Sequence, residues 1–325
     1  MTTMANDQQQ ALRRAAVRAT LAPSVHNTQP WRFVLRPGQL ELYADWSRQL
    51  SVLDPTGRQL TISCGCALFN ARVALAALGG VDVSRFPDSA RPQLLARVGS
   101  GGGGRTSIGM LDPLIELRQS NRRRFEADEV PEDVVELLLD GASAEGARLF
   151  PVRDTDHRLA VATLSQHADR EENANPAYRA ELRRWTTDDR DRRDGVPALA
   201  VPRVDGSAED DVPIRDFDTH GSGLLPAETN SSLQQCLLLL GTDEDNAEGW
   251  LRAGEALERV LLEVTRLGYV ASVLTQVVEV PWTREQVRSQ LGLSMQPHVL
   301  LRVGRAPAGP ASPRRQMVDV LVEEP

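Results

Sequence analysis

Lysine is absent: all 37 basic residues of this 325-residue chain are arginines. No side chain can therefore form a Schiff base, and no phosphate loop can place a lysine on a β- or γ-phosphate. Cysteine is scarce. Cys64, Cys66 and Cys236 are the whole supply, too few for a disulfide framework and without the spacing of a zinc site, so they read as small buried thiols and no metal is expected. Long apolar runs are missing too. Stretches such as "CLLLLG" (236–241) fall far short of the roughly 20 residues that a bilayer needs, and the polar start "MTTMANDQQQ" does not read as a secretory signal. The expectation is a cytoplasmic protein with no membrane partner. Nor is there an excess of positive charge: the net charge of −8 argues against nucleic acid, whose binding rests on cations clustered over phosphates.

What is present suffices for one large core or two modest ones, with 41% hydrophobic residues over this length. Two helical patterns align without a gap, "CGCALFNARVALAALGG" (64–80) and "AGEALERVLLEVTRLGY" (253–269). They match Gly65 with Gly254, Ala67 with Ala256, Leu68 with Leu257, Leu78 with Leu267 and Gly79 with Gly268. A strand-like run ended by glycine follows each, "LLARVG" (94–99) and "VLLRVG" (299–304). Upstream, "ATLAPSVHNTQPWRFVL" and "LLLDGASAEGARLFPV" both pass from helix through a small-residue turn into a strand. The order repeats as well as the pieces, which implies a duplicated unit. The expected domains are a first repeat over 1–99, a glycine-rich linker over 100–110 and a second repeat over 111–325.

The second repeat is longer in one place, between Val152 and Gly254, where the first has only Leu35 to Gly65. The expectation is a charged, irregular insertion over about 153–250, either a lid over a site or a solvated decoration.

Several motifs compete for the chemistry. "GSGGGGRT" (99–106) imitates a phosphate loop, but "SIGMLDP" follows where a helix should start, so it reads as a linker. "DFDTH" (Asp216, Asp218, His220) lacks companion ligand spacing, and Ser24 with His26 lacks a third residue to orient a nucleophile. "LRQSNRRRF" is more informative. Arg118, Arg122, Arg123 and Arg124 crowd around Ser120 and Asn121, and guanidiniums that close repel unless anions or carboxylates compensate, so the stretch reads as an anion site or as a solvated basic face. "LAPSVHNTQPWRF" packs short polar groups into a bend stiffened by Pro23 and Pro30, suited to the edge of a flat polar heterocycle or to satisfying its own backbone.

With those residues in hand, the sequence resembles the nitroreductase family of FMN-dependent flavoproteins, through "PSVHNTQPW" and "RQSNR". The resemblance covers most of the chain outside the insertion and implies an α+β, nitroreductase-like fold. Two pseudo-repeats of helices around antiparallel or mixed sheets would form an internal pseudo-dimer. It implies FMN as cofactor, with Arg118, Ser120 and Arg122 as ligands, Pro23, Ser24, Val25 and Asn27 near the ring, and Arg315 and Arg314 of "SPRRQ" at the phosphate. "LGYVASVLTQ" adds Thr275 and Gln276. The order of the motifs is inverted relative to the usual family member. The first repeat has no RxSxR, and the second shows "ASAEGARLF" where Pro, Ser and Asn should stand. One live site and one dead mirror site in a single chain are implied, as in the Acg-like branch, where a lid can cover the flavin. The chain is then a pseudo-dimeric monomer, with further dimerisation open.

The implied activity is electron transfer from NAD(P)H through FMN to a small electron-poor acceptor, a nitroaromatic, quinone or flavin. The alternative is an FMN-sequestering protein with an occluded flavin. No residue is assigned as general acid or base, and Arg122 is the candidate to stabilise charge at flavin N1/O2.

Overall fold

The computed structural model describes residues 2–122, 125–187, 189, 191–197, 212, 215, 217, 235–307, 309 and 311–324. Helix α1 (Thr2–Ala19) leads into strands β1 (Trp31–Arg36) and β2 (Gln39–Ala44), helix α2 (Arg58–Ala76) and strands β3 (Gly80–Arg85) and β4 (Leu94–Gly101). After short α3 (Leu114–Leu117) come α4 (Glu132–Ser143), β5 (Arg148–Pro151), α5 (Thr155–Ala174), α6 (Pro176–Trp185), β6 (Thr186–Thr187) and β7 (Val196–Pro197). The chain continues through β8 (Cys236–Thr242), α7 (Ala247–Arg266), β9 (Val270–Leu274), α8 (Gln276–Glu279), α9 (Pro281–Gln290) and β10 (Gln296–Gly304). It closes with α10 (Met317–Val320) and β11 (Leu321–Glu323). The α+β expectation matches this mixture.

Apart from β11 at one edge, the two larger sheets share a strand order. The first runs β11-β1-β2-β4-β3 and the second β5-β8-β10-β9. Within these two sheets every pair is antiparallel except that of β11, which lies parallel to β1, with Phe33 opposite Leu321; β6 and β7 form a separate parallel pair. The carboxyl-terminal strand thus crosses from the second half to the edge of the first sheet.

Helix α2 packs on β2, β3 and β4, helix α7 on β8, β9 and β10, and the two helices pack on each other. α2 is buried on nearly every side, as a helix enclosed by a sheet and a second helix must be, and its few polar side chains lie within the protein. It is long and apolar enough to cross a membrane, yet nearly all of it is buried inside the protein. The crossing is set by the two aligned glycines. A Cβ on Gly65 would stand 2.2 Å from the Leu251 carbonyl oxygen and 2.8 Å from the Gly254 Cα. One on Gly254 would stand 2.0 Å from the Ile62 carbonyl oxygen and 2.7 Å from the Gly65 Cα. Only glycine lets the backbones approach this closely. The contact is reciprocal, since the register that matches Gly65 to Gly254 also matches Ile62 to Leu251.

The stretch expected as an insertion is not uniform. From Cys236 onward it is β8, a central strand of the second sheet, so the excursion from that sheet ends before residue 236 rather than near 250. A run as apolar as "CLLLLG" can sit there because β8 is paired on both sides and buried. α5 begins at Asp154, whose carboxylate accepts the Asp156 and His157 amides, and α6 at Asn175 with Pro176 in its first turn. Tyr178, Leu182, Trp185, Val196 and Phe217 bury themselves against Leu50 and Leu53 of the first half. The glycine-rich run is also partly structured. β4 extends to Gly101, and Leu111 packs on Phe69 and Val73 of α2.

Candidate functional site

The polar bend between α1 and β1 is held by its own short side chains. The Ser24 hydroxyl accepts the Gln29 amide at 2.9 Å, and the Ser63 hydroxyl of α2 accepts the Val25 amide at 3.0 Å. His26, Asn27 and Gln29 all take left-handed backbone angles, φ 45°, 53° and 49°, a strain that surrounding structure must enforce. It does so from two directions. The Asn27 amide donates to the carbonyls of Gly195, at 2.9 Å, and Pro313, at 3.1 Å, and its oxygen accepts from Arg314 at 3.2 Å. Gln29 donates to the Arg193 carbonyl at 2.8 Å and accepts the Arg315 amide at 2.8 Å. The insertion and the carboxyl-terminal segment therefore both clamp the bend.

The "RQSNR" stretch lies along the second sheet. Ser120 bridges to Ala271, the Asn121 amide donates to the Ala271 carbonyl at 2.9 Å, and Ser272 donates to the Asn121 carbonyl. Side chains alternate across an extended strand. Ser120 and Arg122 face a cavity while Asn121 is buried and bonded to the Pro307 carbonyl.

That cavity, with a volume of about 100 Å³, lies between the two halves and opens to solvent. The first half contributes Pro23, Ser24, Val25 and His26 from the bend and Gln59, Ile62, Ser63 and Cys66 from α2. Leu257 of α7, Val299 of β10 and the run Ser272 to Gln276 face them, and the insertion adds Arg215 and Phe217. Seven residues expected from the sequence thus come together here: Pro23, Ser24, Val25, Ser120, Arg122, Thr275 and Gln276. Asn27, Arg118, Arg314 and Arg315 are placed elsewhere.

Those four form the frame behind the cavity. Arg118 is buried, donates to the Leu21 carbonyl at 3.2 Å and lies 3.4 Å from the Glu258 carboxylate. Arg314 donates to the Leu21 and Ala22 carbonyls at 3.1 and 3.2 Å. Burial pushes the Arg314 guanidinium down to about 9, helped by the charge of Arg118. Arg315 caps the Gln29 and Asp319 carbonyls at 3.2 and 2.9 Å. Arg123, Arg124, Asp216, Asp218 and His220 lie outside the described residues.

Arg122 differs from all of these. Among the described residues it makes no hydrogen bond and no ion pair, and its only close partner is the Phe217 ring, 5.8 Å away. Loss of water pushes it down to about 10, reinforced by the like charges of Arg215 and Arg118. Arg215, by contrast, is matched: it pairs with Glu279, lies 3.7 Å from Glu172 and donates to the Tyr178 hydroxyl. Burial and the neighbouring Glu279 charge raise the Glu172 carboxyl, against the pull of Arg215. Gln276 donates to Asp169 and Glu172 at 2.9 and 3.0 Å, which ties the cavity wall to α5.

The residues that sequence reasoning passed over, His26, Gln59, Arg215 and Phe217, carry no spacing signal of their own. His26 stands inside the recognised bend and was weighed only as a partner for Ser24. Among the described residues no group of three His, Cys, Asp or Glu side chains is placed to hold a metal.

No protein-family model matches the chain. The protein named "Putative NAD(P)H nitroreductase Rv3131" of Mycobacterium tuberculosis strain H37Rv is 35% identical, the match covering 96% of this chain and 91% of that protein. "Putative NAD(P)H nitroreductase acg" of the same strain is 31% identical over 95% of this chain and 94% of its own length. Among solved structures, a nitroreductase with bound FMN from Bacteroides fragilis superposes with a TM-score of 0.39 at 13% identity. It covers 63% of this chain and 93% of its own.

Proposed function

The chain belongs to the nitroreductase family, and from that premise we propose that it is an NAD(P)H-dependent oxidoreductase. It holds FMN in the cavity between its halves and passes electrons to a small electron-poor acceptor. The observation that carries the cofactor assignment is Arg122, a cation facing a cavity with no counter-charge among the described residues. A half-buried cation with no counter-charge among the described residues favours an anion from outside the chain. FMN is one, and its flat ring suits walls made of Ile62, Leu257, Val273, Leu274 and Val299.

Bound FMN would supply the hydride and electron chemistry. The chain's own residues do the rest. Arg122 meets the negative charge of the cofactor and favours its more negative, reduced form. Ser24, Ser120 and Thr275 offer neutral hydrogen bonds at the edges, and the apolar walls exclude water. Arg118 and Arg314 hold the bend in place by gripping the Leu21 carbonyl rather than by touching the cavity. We further infer that the two halves are copies of one unit, joined about the glycine crossing, so that one chain makes one site and no second subunit is required.

A second reading has its own support. Arg215 and Phe217 of the insertion form part of the cavity wall, which favours a flavin-holding protein whose acceptor face is covered. Anaerobic addition of NADH or NADPH to the FMN-loaded protein separates the two. Rapid bleaching of the visible flavin band is expected for the oxidoreductase. Persistence of the colour, with reduction by dithionite only, would sink it in favour of sequestration.

A further inference from the structure

Where α5, α6 and α8 meet behind the cavity wall, two carboxylates face one guanidinium. The Glu172 and Glu279 side chains are eight and two per cent exposed. Arg215 of the insertion pairs with Glu279, lies 3.7 Å from Glu172 and donates to the Tyr178 hydroxyl of α6. Fully ionised, Glu172, Glu279 and Arg215 would carry one uncompensated negative charge away from water, which is costly. The contact between the two carboxylates itself asks for a proton. They meet within hydrogen-bond reach, ionised carboxylates can only accept, and Glu279 Oε1 has no hydrogen-bond donor among the described residues. Of the other charged groups around the pair, Asp169 of α5 and Asp54 before α2 add negative charge, and Arg58 of α2 lies among Glu279, Asp54 and Asp245. His26 and Arg122 feel the charge of Arg215 from the cavity side. Burial raises the Glu172 carboxyl and the Glu279 charge adds to the rise, while Arg215 opposes both. The cluster also touches the cavity wall. Gln276 lines the cavity and donates to Glu172 at 3.0 Å, Thr275 lines it and accepts from Arg215 at 3.5 Å, and Arg215 is part of the wall.

We propose that Glu172 and Glu279 share one proton across Arg215 and form a proton store, which draws a proton from solvent when negative charge arrives in the cavity and returns it when that charge leaves. The proposal rests on the oxidoreductase reading above and adds to it a pair of residues that no spacing in the sequence marks. A hydride brings two electrons and one proton, so each reduction adds one negative charge to the cavity. Among the described cavity residues, Arg122 alone meets that charge as an unpaired cation, and a proton gained one residue behind the wall meets it from the other side. Glu172 and Glu279 are positioning residues here, since neither lines the cavity.

Infrared difference spectra of the full chain without FMN test the shared proton. Wild type at pH 7 should show a protonated-carboxyl band that is lost in Glu172→Gln and equally in Glu279→Gln, because either carboxylate alone is matched by Arg215. A band that survives in either folded variant overturns the proposal. Should one variant fail to fold, the other decides. The FMN-loaded chain then tests the coupling. Between pH 7 and pH 9 the midpoint potential of the flavin should fall more steeply in wild type than in Glu172→Gln, by up to about 30 mV per pH unit. That is the value of a tenfold change in proton concentration when one proton accompanies two electrons. Parallel lines for the two proteins overturn the store and leave the oxidoreductase reading intact. A chain that refuses FMN yet loses the infrared band in both variants breaks that reading and leaves the shared proton standing.

Discussion

At the crossing of α2 and α7 the molecule presents two faces built from corresponding positions, and they have opposite characters. The residue after Gly65 is Cys66, which borders the cavity. The residue after Gly254 is Glu255, one per cent exposed, whose carboxylate takes Arg72 at 2.7 Å and Arg85 at 2.7 and 2.9 Å. Glu145 extends the cluster to Arg72 at 2.5 Å and Arg259 at 2.8 Å. One face pairs both of its carboxylates with arginines of the chain itself. The other leaves Arg122 without a counter-charge and His26 unbonded among the described residues. On the proposed duplication, the difference teaches that one of two equivalent faces can be filled with ion pairs while the helix crossing beneath both stays the same.

The crossing itself is where the comparison breaks hardest. Gly65→Ala and Gly254→Ala each force a methyl group onto a backbone carbonyl, at 2.2 and 2.0 Å, so each should cost about 4 kcal/mol in chemical denaturation. The two losses should agree within about 1 kcal/mol, and the double variant should lose less than their sum, because both act on one contact. A large loss at one glycine and none at the other would contradict the reciprocal geometry.

The filled face comes next. Glu255→Ala strands the Arg72 and Arg85 guanidiniums and should cost about 3 kcal/mol of stability, while FMN affinity measured by fluorescence titration changes less than about twofold. The converse change, Cys66→Glu, imports the carboxylate into the open face and should abolish FMN binding. If Glu255→Ala instead destroys FMN binding in folded protein, the two faces are not independent.

Much of this was legible in the sequence, for a physical reason. Helices, strands and their order follow from apolar periodicity, which is local, and the aligned glycines of 64–80 and 253–269 turned out to be the contact point of the two helices. Side-chain direction is not local. In "RQSNR", Ser120 and Arg122 face the cavity, but Arg118 turns to Glu258 and the Leu21 carbonyl, a choice made by partners distant in the chain. Asn27 and Gln29 likewise spend their polarity on Gly195, Arg193 and the carboxyl-terminal segment. The end of the insertion is not legible at β8 because an apolar run of six residues, 236–241, reads the same as a buried strand or as part of a helix, and only pairing with β5 and β10 decides.

Sharper still is the next pair of corresponding positions, Phe69 on α2 and Glu258 on α7. Both are fully buried, but only one can titrate. Burial pushes the Glu258 carboxyl up to about 7, opposed by Arg118, Asn70 and Arg314. A carboxyl raised in the folded state favours folding most below its unfolded value, near 4.3, and that contribution is lost as pH rises through about 7. The wild type should therefore lose on the order of 2 kcal/mol more than Glu258→Gln between pH 5 and pH 8. Asp54, pushed up to about 6 by burial, acts in the same direction in both proteins and cancels from the difference. Parallel stability curves for the two proteins would show that Glu258 keeps its charge throughout, held by Arg118.

The mildest change asks the most of the open face. Arg122→Met removes the one described cavity cation with no partner, and keeps most of the bulk against Phe217. Because no carboxylate depends on it, stability should stay within about 0.5 kcal/mol of wild type or rise. This is the opposite of Glu255→Ala, where every partner is internal. FMN affinity should fall about tenfold, the low end for a charge-assisted hydrogen bond, and the bound flavin should become harder to reduce. Arg122→Gln, which keeps hydrogen-bonding capacity but not charge, should recover part of the affinity and none of the potential. A variant that unfolds would mean that Arg122 is held by the chain after all, and the contrast between a face filled from within and a face awaiting a ligand would fall with it.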